Sequence, residues 1–503
     1  MSSDMSPPGS RATGEQEALD HETRPAPLNL GRRRIVGDIG IQVFARAGNL
    51  VLGVVVTLIL VRALGVRGFG EWSTLLAIAQ IATSFGDLGL TQVAVSRAAS
   101  NPELQPQWLG ALLGLRLLLS VPISIAQLIA MLAVAPTGRV GVAGALIAST
   151  TILGAASSVS AAFQLRVRND LSMLVLTVNS VLWTAGTALV AAYTSDIRAF
   201  AVVFLLANLV STALTVVLVL RRGAVRLAGG RALWGPMLRV GAVLGAAGIL
   251  VTAYVRLDQV LVFVFAGSRQ AGLYAAAYRI LDQAQFVPGS VMATLFPLIA
   301  SAYPSDLSRV RRLLQVSGEY LSMGSLGALA FTVVAARPIM VLLFGVGFAP
   351  AASALPVLMG AFVSISFGYL AGNMVVILGL QRRYFAYAAV GLIVNVLLNV
   401  ALIPPYGFRA AAWVTLVTEF TVMSLSMRSV LKRLDMKPKW GRLIRIAAAA
   451  AAMGVGVALA HGAGVPLGGL AVLAFALYVG FLFALGALTP AEVRGFLQRD
   501  PVT

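Results

Sequence analysis

The 503-residue chain is 58% hydrophobic and only 11% charged, with a mean hydropathy of +0.88 and a formal net charge of +19. A soluble domain carries about 25% charged and about 45–50% apolar residues, so a buried core does not account for this composition and a soluble enzyme or binding module is excluded. There is no cysteine, and the two histidines are His21 in a polar tail and His461 near a span end, which leaves no disulfide framework, thiolate metal site or zinc-binding histidine cluster.

Residues 1–34 are polar, rich in Pro, Gly and Glu, and end in Arg32-Arg33-Arg34; they read as a disordered cytoplasmic tail. The apolar stretch that follows is too long and too late for a cleaved signal peptide. Crossing about 30 Å of hydrocarbon takes about 20 mainly apolar residues. Such stretches are predicted at 38–61, 72–95, 110–135, 140–163, 171–193, 198–220, 238–266, 272–300, 316–344, 353–380, 384–403, 409–429, 443–461 and 466–488. The short alternating segments of a β-barrel are absent from the sequence, so the predicted fold class is an all-α polytopic membrane protein with about 14 transmembrane helices. All connections are short. No soluble catalytic domain fits, and no phosphate-cradling P-loop is visible, which points to a transporter rather than an enzyme.

Charge supports the topology. With a cytoplasmic amino terminus, 27 Lys and Arg fall in the tails and inside connections, 6 in outside connections (Arg62, Arg67, Arg139, Arg198, Arg269 and Arg409), and 5 within spans. This is the positive-inside asymmetry, and it predicts a multi-pass protein of the cell (inner) membrane with both termini cytoplasmic. The +19 charge is therefore juxtamembrane charge, not a nucleic-acid footprint.

The sequence reads as doubled. Gly65-Val66-Arg67-Gly68-Phe69-Gly70-Glu71-Trp72 and Gly267-Ser268-Arg269-Gln270-Ala271-Gly272-Leu273-Tyr274 share Gly-x-Arg-x-x-Gly-x-aromatic at an offset of 202. Glycine permits a tight turn, and the aromatic suits a membrane interface. Arg166…Val178-Asn179 and Arg382…Val394-Asn395 form a second echo at an offset of 216. The expected organisation is an N-terminal six-helix lobe (35–220), a cytoplasmic linker (221–237), a C-terminal six-helix lobe (238–430), two additional helices (431–490) and a cytoplasmic tail (491–503), the lobes related by an axis along the membrane normal.

Charge at membrane depth costs about 2.5–3.5 kcal/mol per residue on insertion scales and commonly marks a pathway. On the first span Gln42, Arg46, Asn49, Gly53 and Thr57 share one helical face, which lines either a water-filled cavity or a tight helix contact. Thr252, Arg256 and Gln259 share a face of the seventh, with Asp258 close by. Tyr274, Tyr278, Asp282 and Gln285 share one on the eighth, where Arg279 and Asp282 are spaced to pair. Asp87 closes a Gln80–Ser84 stripe, Arg116 lies early in the third span, and Glu419 lies within the twelfth. Arg337-Pro338 predicts a kink, and interhelical hydrogen bonding is the default role of Asn395 and Asn399. All in-span cations are arginines, which stay charged and grip phosphate with a bidentate fork. The candidate substrate-binding residues are thus Arg46, Asn49, Gln42, Arg116, Arg256 and Arg279, and the candidate ion-coupling residues Asp258, Asp282, Asp87 and Glu419. No cofactor or metal is expected beyond coupling to H⁺ or Na⁺.

Leu60-Val61-Arg62-Ala63-Leu64-Gly65, Gly70 and Gly86-Asp87-Leu88-Gly89-Leu90 resemble the opening of oligosaccharide and polysaccharide flippases, of the multidrug/oligosaccharidyl-lipid/polysaccharide exporter superfamily. Asp258, Gly272-Leu273-Tyr274, Pro297, Leu343-Phe344-Gly345, Val394-Asn395…Leu398-Asn399 and Pro404-Pro405-Tyr406-Gly407 continue the resemblance over roughly residues 35–430. It implies two six-helix lobes in a V around a cationic cavity, with Arg46 and Arg256 facing each other. It also implies translocation of a polyprenyl-diphosphate-linked oligosaccharide to the outer leaflet for cell-surface polysaccharide biosynthesis. Spans thirteen and fourteen resemble an extra pair that helps form a lipid-tail groove. The expected partners are lipid-linked glycan and membrane lipid, with polysaccharide polymerase and glycosyltransferases nearby and no nucleic acid. The alternatives are a multidrug or metabolite cation antiporter, which favours an acidic cavity; a membrane-embedded polymerase or ligase, which needs a large outside loop; and a scaffold, which needs no charged stripes.

Overall fold

A computed structural model describes residues 32–135, 138–165, 169–221, 230–438 and 440–492, with side chains from Gly48 onward except those of Asn169 and Leu244. The chain divides into two units, Met1–Gly48 and Asn49–Thr503. The first contributes helical backbone from residue 32, and the packing below is that of the second. The tail before residue 32, residues 222–229 of the 221–237 linker and residues 493–503 of the last segment lie outside the described residues.

No strand occurs among the described residues, as lipid requires of a chain that must satisfy its backbone internally. The long helices are α1 (Arg32–Asp87), α2 (Leu90–Ser100), α3 (Gln105–Val134), α4 (Gly138–Ala156), the short α5 (Ala161–Leu165), α6 (Asn169–Tyr193), α7 (Ile197–Leu220), α8 (Trp234–Ala284), α9 (Phe286–Ala302), α10 (Leu307–Phe344), α11 (Leu355–Ile377), α12 (Gln381–Tyr406), α13 (Phe408–Arg433), α14 (Trp440–Gly462) and α15 (Leu467–Ala484). Among the described residues, twelve continuous helical stretches are long and apolar enough to cross a membrane. Their outer faces are apolar, as at Leu189, Val243 and Phe475, so the chain is a multi-pass membrane protein.

Two of the twelve, Gly48–Ser100 and Gly245–Ala302, hold 53 and 58 residues, which at 1.5 Å per residue is about 80 Å or more and over twice the hydrocarbon thickness. Each is broken at a glycine: Gly65 at φ 63°, ψ −174° and Gly267 at φ 82°, ψ 171°. Only glycine adopts this region at no steric cost. The two breaks are the first residues of the two eight-residue echoes, so the sequence repeat is also a repeat of backbone geometry.

Two expectations are corrected. The predicted span 72–95 is not one helix, because Leu88 (φ 44°) and Gly89 (φ 72°) separate α1 from α2. The predicted span 272–300 divides between α8 and α9 at Gln285. At Arg337-Pro338, helix α10 runs on as one helical segment through the proline.

Helices α3 and α4, α4 and α7, and α6 and α7 pack pairwise, as do α10 with α11, α11 with α13, α12 with α13, and α8 with both α12 and α13. Helices α14 and α15 pack on each other and on α10. A polar clamp fixes this last pair. Arg442 reaches Glu319 of α10 at 3.0 Å, Glu492 at 2.7 Å and the Ala487 carbonyl at 2.8 Å. Glu319 is buried, so Arg442→Ala leaves its carboxylate without this partner. The expected cost is about 1.5–3 kcal/mol, as for a charged hydrogen bond, read as a lowered Tm of the detergent-solubilised protein; an unchanged Tm contradicts the clamp. Burial acts to raise the pKa of Glu492, but hydrogen bonds from Thr489 and Arg442 outweigh it and hold the group below the usual carboxylate range. A depressed folded pKa stabilises above the unfolded value of about 4.3 and is lost as pH falls through the folded one, so the Glu492 arm loosens only in acid.

Candidate functional site

The two glycine-broken helices α1 and α8 meet backbone to backbone. A Cβ on Gly272 would overlap the Val66 carbonyl oxygen, and one on Gly70 would overlap the Ser268 carbonyl and lie 2.7 Å from the Gly272 nitrogen. Further along, a Cβ on Gly89 would lie 2.8 Å from both the Gly241 oxygen and the Gly245 nitrogen, and one on Gly245 would lie 2.6 Å from the Gly89 nitrogen. Between these contacts is an open-mouthed cavity lined by α1 from Leu60 to Gln80 and by α8 from Val255 to Asp282.

Its chemistry comes from few groups. Arg256 forms a two-pronged ion pair with Asp282, at 3.1 and 3.3 Å, and its guanidinium carbon sits 5.7 Å from the centre of the Tyr278 ring. Arg279 donates from Nε to Thr57 Oγ1 at 3.0 Å and has no carboxylate within ion-pair distance among the described residues. The cavity therefore holds one arginine in an ion pair and one outside it, with Asp282 within electrostatic reach of both. The expected Arg279–Asp282 pair is replaced: the break at Gly267 turns the second half of α8 toward the first, so Asp282 meets Arg256 instead. Gln259 ties α8 to α1 through Thr74 Oγ1 at 3.1 Å.

Behind the cavity wall lies a second polar cluster. Asp258 is 1% exposed. Its Oδ1 accepts from Asn395 Nδ2 and Asn399 Nδ2, both at 2.7 Å, and its Oδ2 from Thr415 Oγ1 at 2.7 Å and the Tyr274 hydroxyl at 3.1 Å. Oxygen is in surplus here. The single Thr415 proton faces both Asp258 and the Ala411 carbonyl, and Asn399 Oδ1 is buried without a hydrogen bond. Rotating an asparagine amide brings its oxygen to the carboxylate, a donor set suited to a hard cation.

The other candidates distribute as follows. The side chains of Gln42 and Arg46 lie outside the described residues. Asn49 bonds to Thr177 at 3.2 Å. Arg116 does not line the cavity; it pairs with Asp87 at 3.2 Å, beside Thr91 at 3.3 Å, where α1 gives way to α2. Glu419 on α13 is half-buried and makes no hydrogen bond or ion pair among the described residues, although it lies within electrostatic reach of Asp258, Tyr254, Tyr384 and Tyr369. The echo aromatics are not interface anchors. Trp72 is 1% exposed and stacks on Trp183 with centroids 5.7 Å apart, and Tyr274 is equally buried against Asp258. The signal for Tyr274 was its place in the repeat; that for Thr415 was its helical spacing from Glu419.

Paired helix breaks around an arginine-bearing cavity, in a bundle of membrane-length helices, define a polytopic α-helical membrane protein. Residues 36–303 match the family described as "Polysaccharide biosynthesis protein", and the chain belongs to that family. Over 194 residues, 37% of this chain, it is 26% identical to "Probable flippase AglR" of Haloferax volcanii. The match spans 40% of that protein's length. The fold is that of the lipid II flippase MurJ in its inward closed conformation (TM-score 0.70, 11% identity, 87% of this chain and 97% of that one). An inward-facing multidrug resistance MATE family transporter of the MOP superfamily is also similar (TM-score 0.64, 15% identity, 77% and 94%).

Proposed function

We propose that the protein is a flippase, not an enzyme, which carries a polyprenyl-diphosphate-linked oligosaccharide from the cytoplasmic to the outer leaflet of the cell membrane for surface-polysaccharide biosynthesis. The observation that carries this reading is Arg279, a cation with no ion-pair partner among the described residues, in a cavity between two breakable contacts. A diphosphate supplies the missing anion with the geometry that a guanidinium prefers. The Arg256–Asp282 pair is a second, exchangeable grip: an incoming phosphate competes with Asp282 for the same fork. An acidic cavity for a drug cation is the opposite arrangement, so the antiporter alternative is less well supported.

In this reading the chain crosses fourteen times, α1 and α8 each twice, with both termini cytoplasmic and the Gly65 and Gly267 breaks at the outer face. Two six-helix lobes rock so that the Gly70–Gly272 and Gly89–Gly245 contacts part in turn. The headgroup exchanges its water for arginine and hydroxyl contacts while the polyprenyl tail stays in lipid. Asp258, Asn395, Asn399 and Thr415 would hold a coupling Na⁺ or H⁺, which supplies charge compensation and a gradient to draw on. Deleting the gene is expected to strand lipid-linked sugar on the cytoplasmic face, and the native chain to restore export. Asp258→Asn is expected to insert normally but to lose gradient-driven export by at least tenfold. Full gradient dependence in that variant removes Asp258 from coupling, and an unchanged distribution of lipid-linked sugar after deletion removes the flippase reading.

A further inference from the structure

The polar residues around Asp258 do not stop at the cluster. They continue along the seam where α8, α12 and α13 pack together. From α13 the seam receives Thr415, Thr418, Val422, Ser426 and Ser429, one helical face and all buried. From α12 it receives Asn399, Asn395, Gly391 and Tyr387, and from α8 Tyr254, one turn before Asp258. Gly391 lets α13 approach: a Cβ there would press on Val422 and touch Thr418 and Tyr254.

A hydroxyl inside a helix commonly closes on the carbonyl four residues back. Lipid-side Thr421 does so with Val417 at 2.7 Å, and Thr415 with Ala411 at 2.9 Å. Thr418 and Ser426 do not. They are 0% and 1% exposed, yet Thr418 Oγ1 and Ser426 Oγ make no hydrogen bond. Both hydroxyls are buried with their hydrogen-bonding capacity unused. An unpaired buried hydroxyl calls for an explanation, and a water or ion partner is the usual one. The two lie two turns apart on one face, with Val422 between them, and an unpartnered Asn399 Oδ1 belongs to the same seam. Glu419 stands beside this face, one turn past Thr415, and does not line the arginine cavity. A carboxyl at that depth with no hydrogen bond or ion pair among the described residues either holds a proton or is met by water or a cation. The seam ends where the Tyr387 and Ser429 hydroxyls meet at 2.6 Å, next to the last turn of α13 with Lys432 and Arg433.

We propose that this seam is a hydrated cation passage, separate from the Arg256–Arg279 cavity, along which Thr418, Glu419 and Ser426 conduct a monovalent cation between Asp258 and the basic end of α13. The passage rests on the reading of Asp258 as the coupling residue. It gives the ion a route of its own, so ion release need not wait for the lipid-linked substrate to leave.

The chain has no cysteine, which makes the test direct. Thr418→Cys, Ser426→Cys and, as a lipid-facing control on the same helix, Val417→Cys (42% exposed) are reconstituted in liposomes. Each is treated with a membrane-impermeant, positively charged methanethiosulfonate from the side of the basic end. Labelling of the Thr418 and Ser426 variants at least tenfold faster than the control is expected. Protection by Na⁺ but not K⁺ then identifies sodium as the cargo, and fast labelling indifferent to both identifies the proton. Labelling of both variants no faster than the control overturns the passage. Flipping of a fluorescent polyprenyl-diphosphate saccharide by the native chain is measured alongside. Gradient-dependent flipping with slow labelling sinks the passage alone, whereas flipping that ignores both Na⁺ and pH gradients sinks the coupling reading and the passage with it.

Discussion

Arg279→Ala is expected to reduce export of the lipid-linked glycan by about 10- to 100-fold while leaving the protein folded and inserted. The magnitude is that of one charged hydrogen bond, about 1.5–3 kcal/mol, at about 1.4 kcal/mol per tenfold. Arg279 gives up little by leaving its present surroundings, because among the described residues it makes one hydrogen bond, to Thr57 at 3.0 Å. Arg256→Ala behaves differently. It also removes the partner of Asp282, so part of its effect is a stranded carboxylate in the cavity wall. The double variant Arg256→Ala/Asp282→Asn separates the two, since it removes the charge without stranding the carboxylate. If the double variant exports as well as the native chain, Arg256 serves the fold and not the substrate. If Arg279→Ala exports normally, the anionic-headgroup reading fails at its centre. Arg279→Lys keeps the charge but loses the planar fork, so its partial activity measures how far geometry adds to charge.

What the sequence revealed and what it hid follow from the range of the interactions involved. The helices were legible because lipid forces every apolar run of sufficient length to be helical. The breaks at Gly65 and Gly267 were legible because a doubled Gly-x-Arg-x-x-Gly pattern has few backbone solutions. Partner choice was not legible. Arg279 and Asp282 share a helix surface at the spacing that lets such pairs form, yet Asp282 bonds Arg256, 26 residues away across the break. Asn395 and Asn399 were seen to share a face, but Asp258, to which both donate, is 137 and 141 residues distant. Trp72 and Tyr274 illustrate the same limit. An aromatic after a turn glycine suits a membrane interface, and only packing against Trp183 and Asp258 makes these two interior. Arg116 looked like Arg256 in sequence, and its pairing with Asp87 depends on a break at Leu88-Gly89 that no spacing rule announces.

Gly272→Val is expected to stop transport by preventing closure at one end of the molecule only. A Cβ at this position would overlap the Val66 carbonyl oxygen, a rigid backbone atom, so the strain is relieved only by parting α1 from α8. Overpacking of this kind costs about 1–3 kcal/mol or more, which shifts a two-state balance by about 5- to 150-fold. Gly245→Val strains the other contact, against Leu88 and Gly89, and shifts the balance the opposite way. Each variant loses export, because a carrier that cannot close both ends in turn cannot complete a cycle, but the two losses are distinguishable. A cysteine at Ser73, in the cavity wall, is expected to label from the outer side faster in Gly272→Val and more slowly in Gly245→Val. Gly53→Ala is the control. A Cβ there meets nothing within 4 Å, so alanine adds helix propensity without a clash and export is expected to persist. Equal outside labelling in the two valine variants would mean that these glycines serve close packing alone and that the molecule is gated elsewhere.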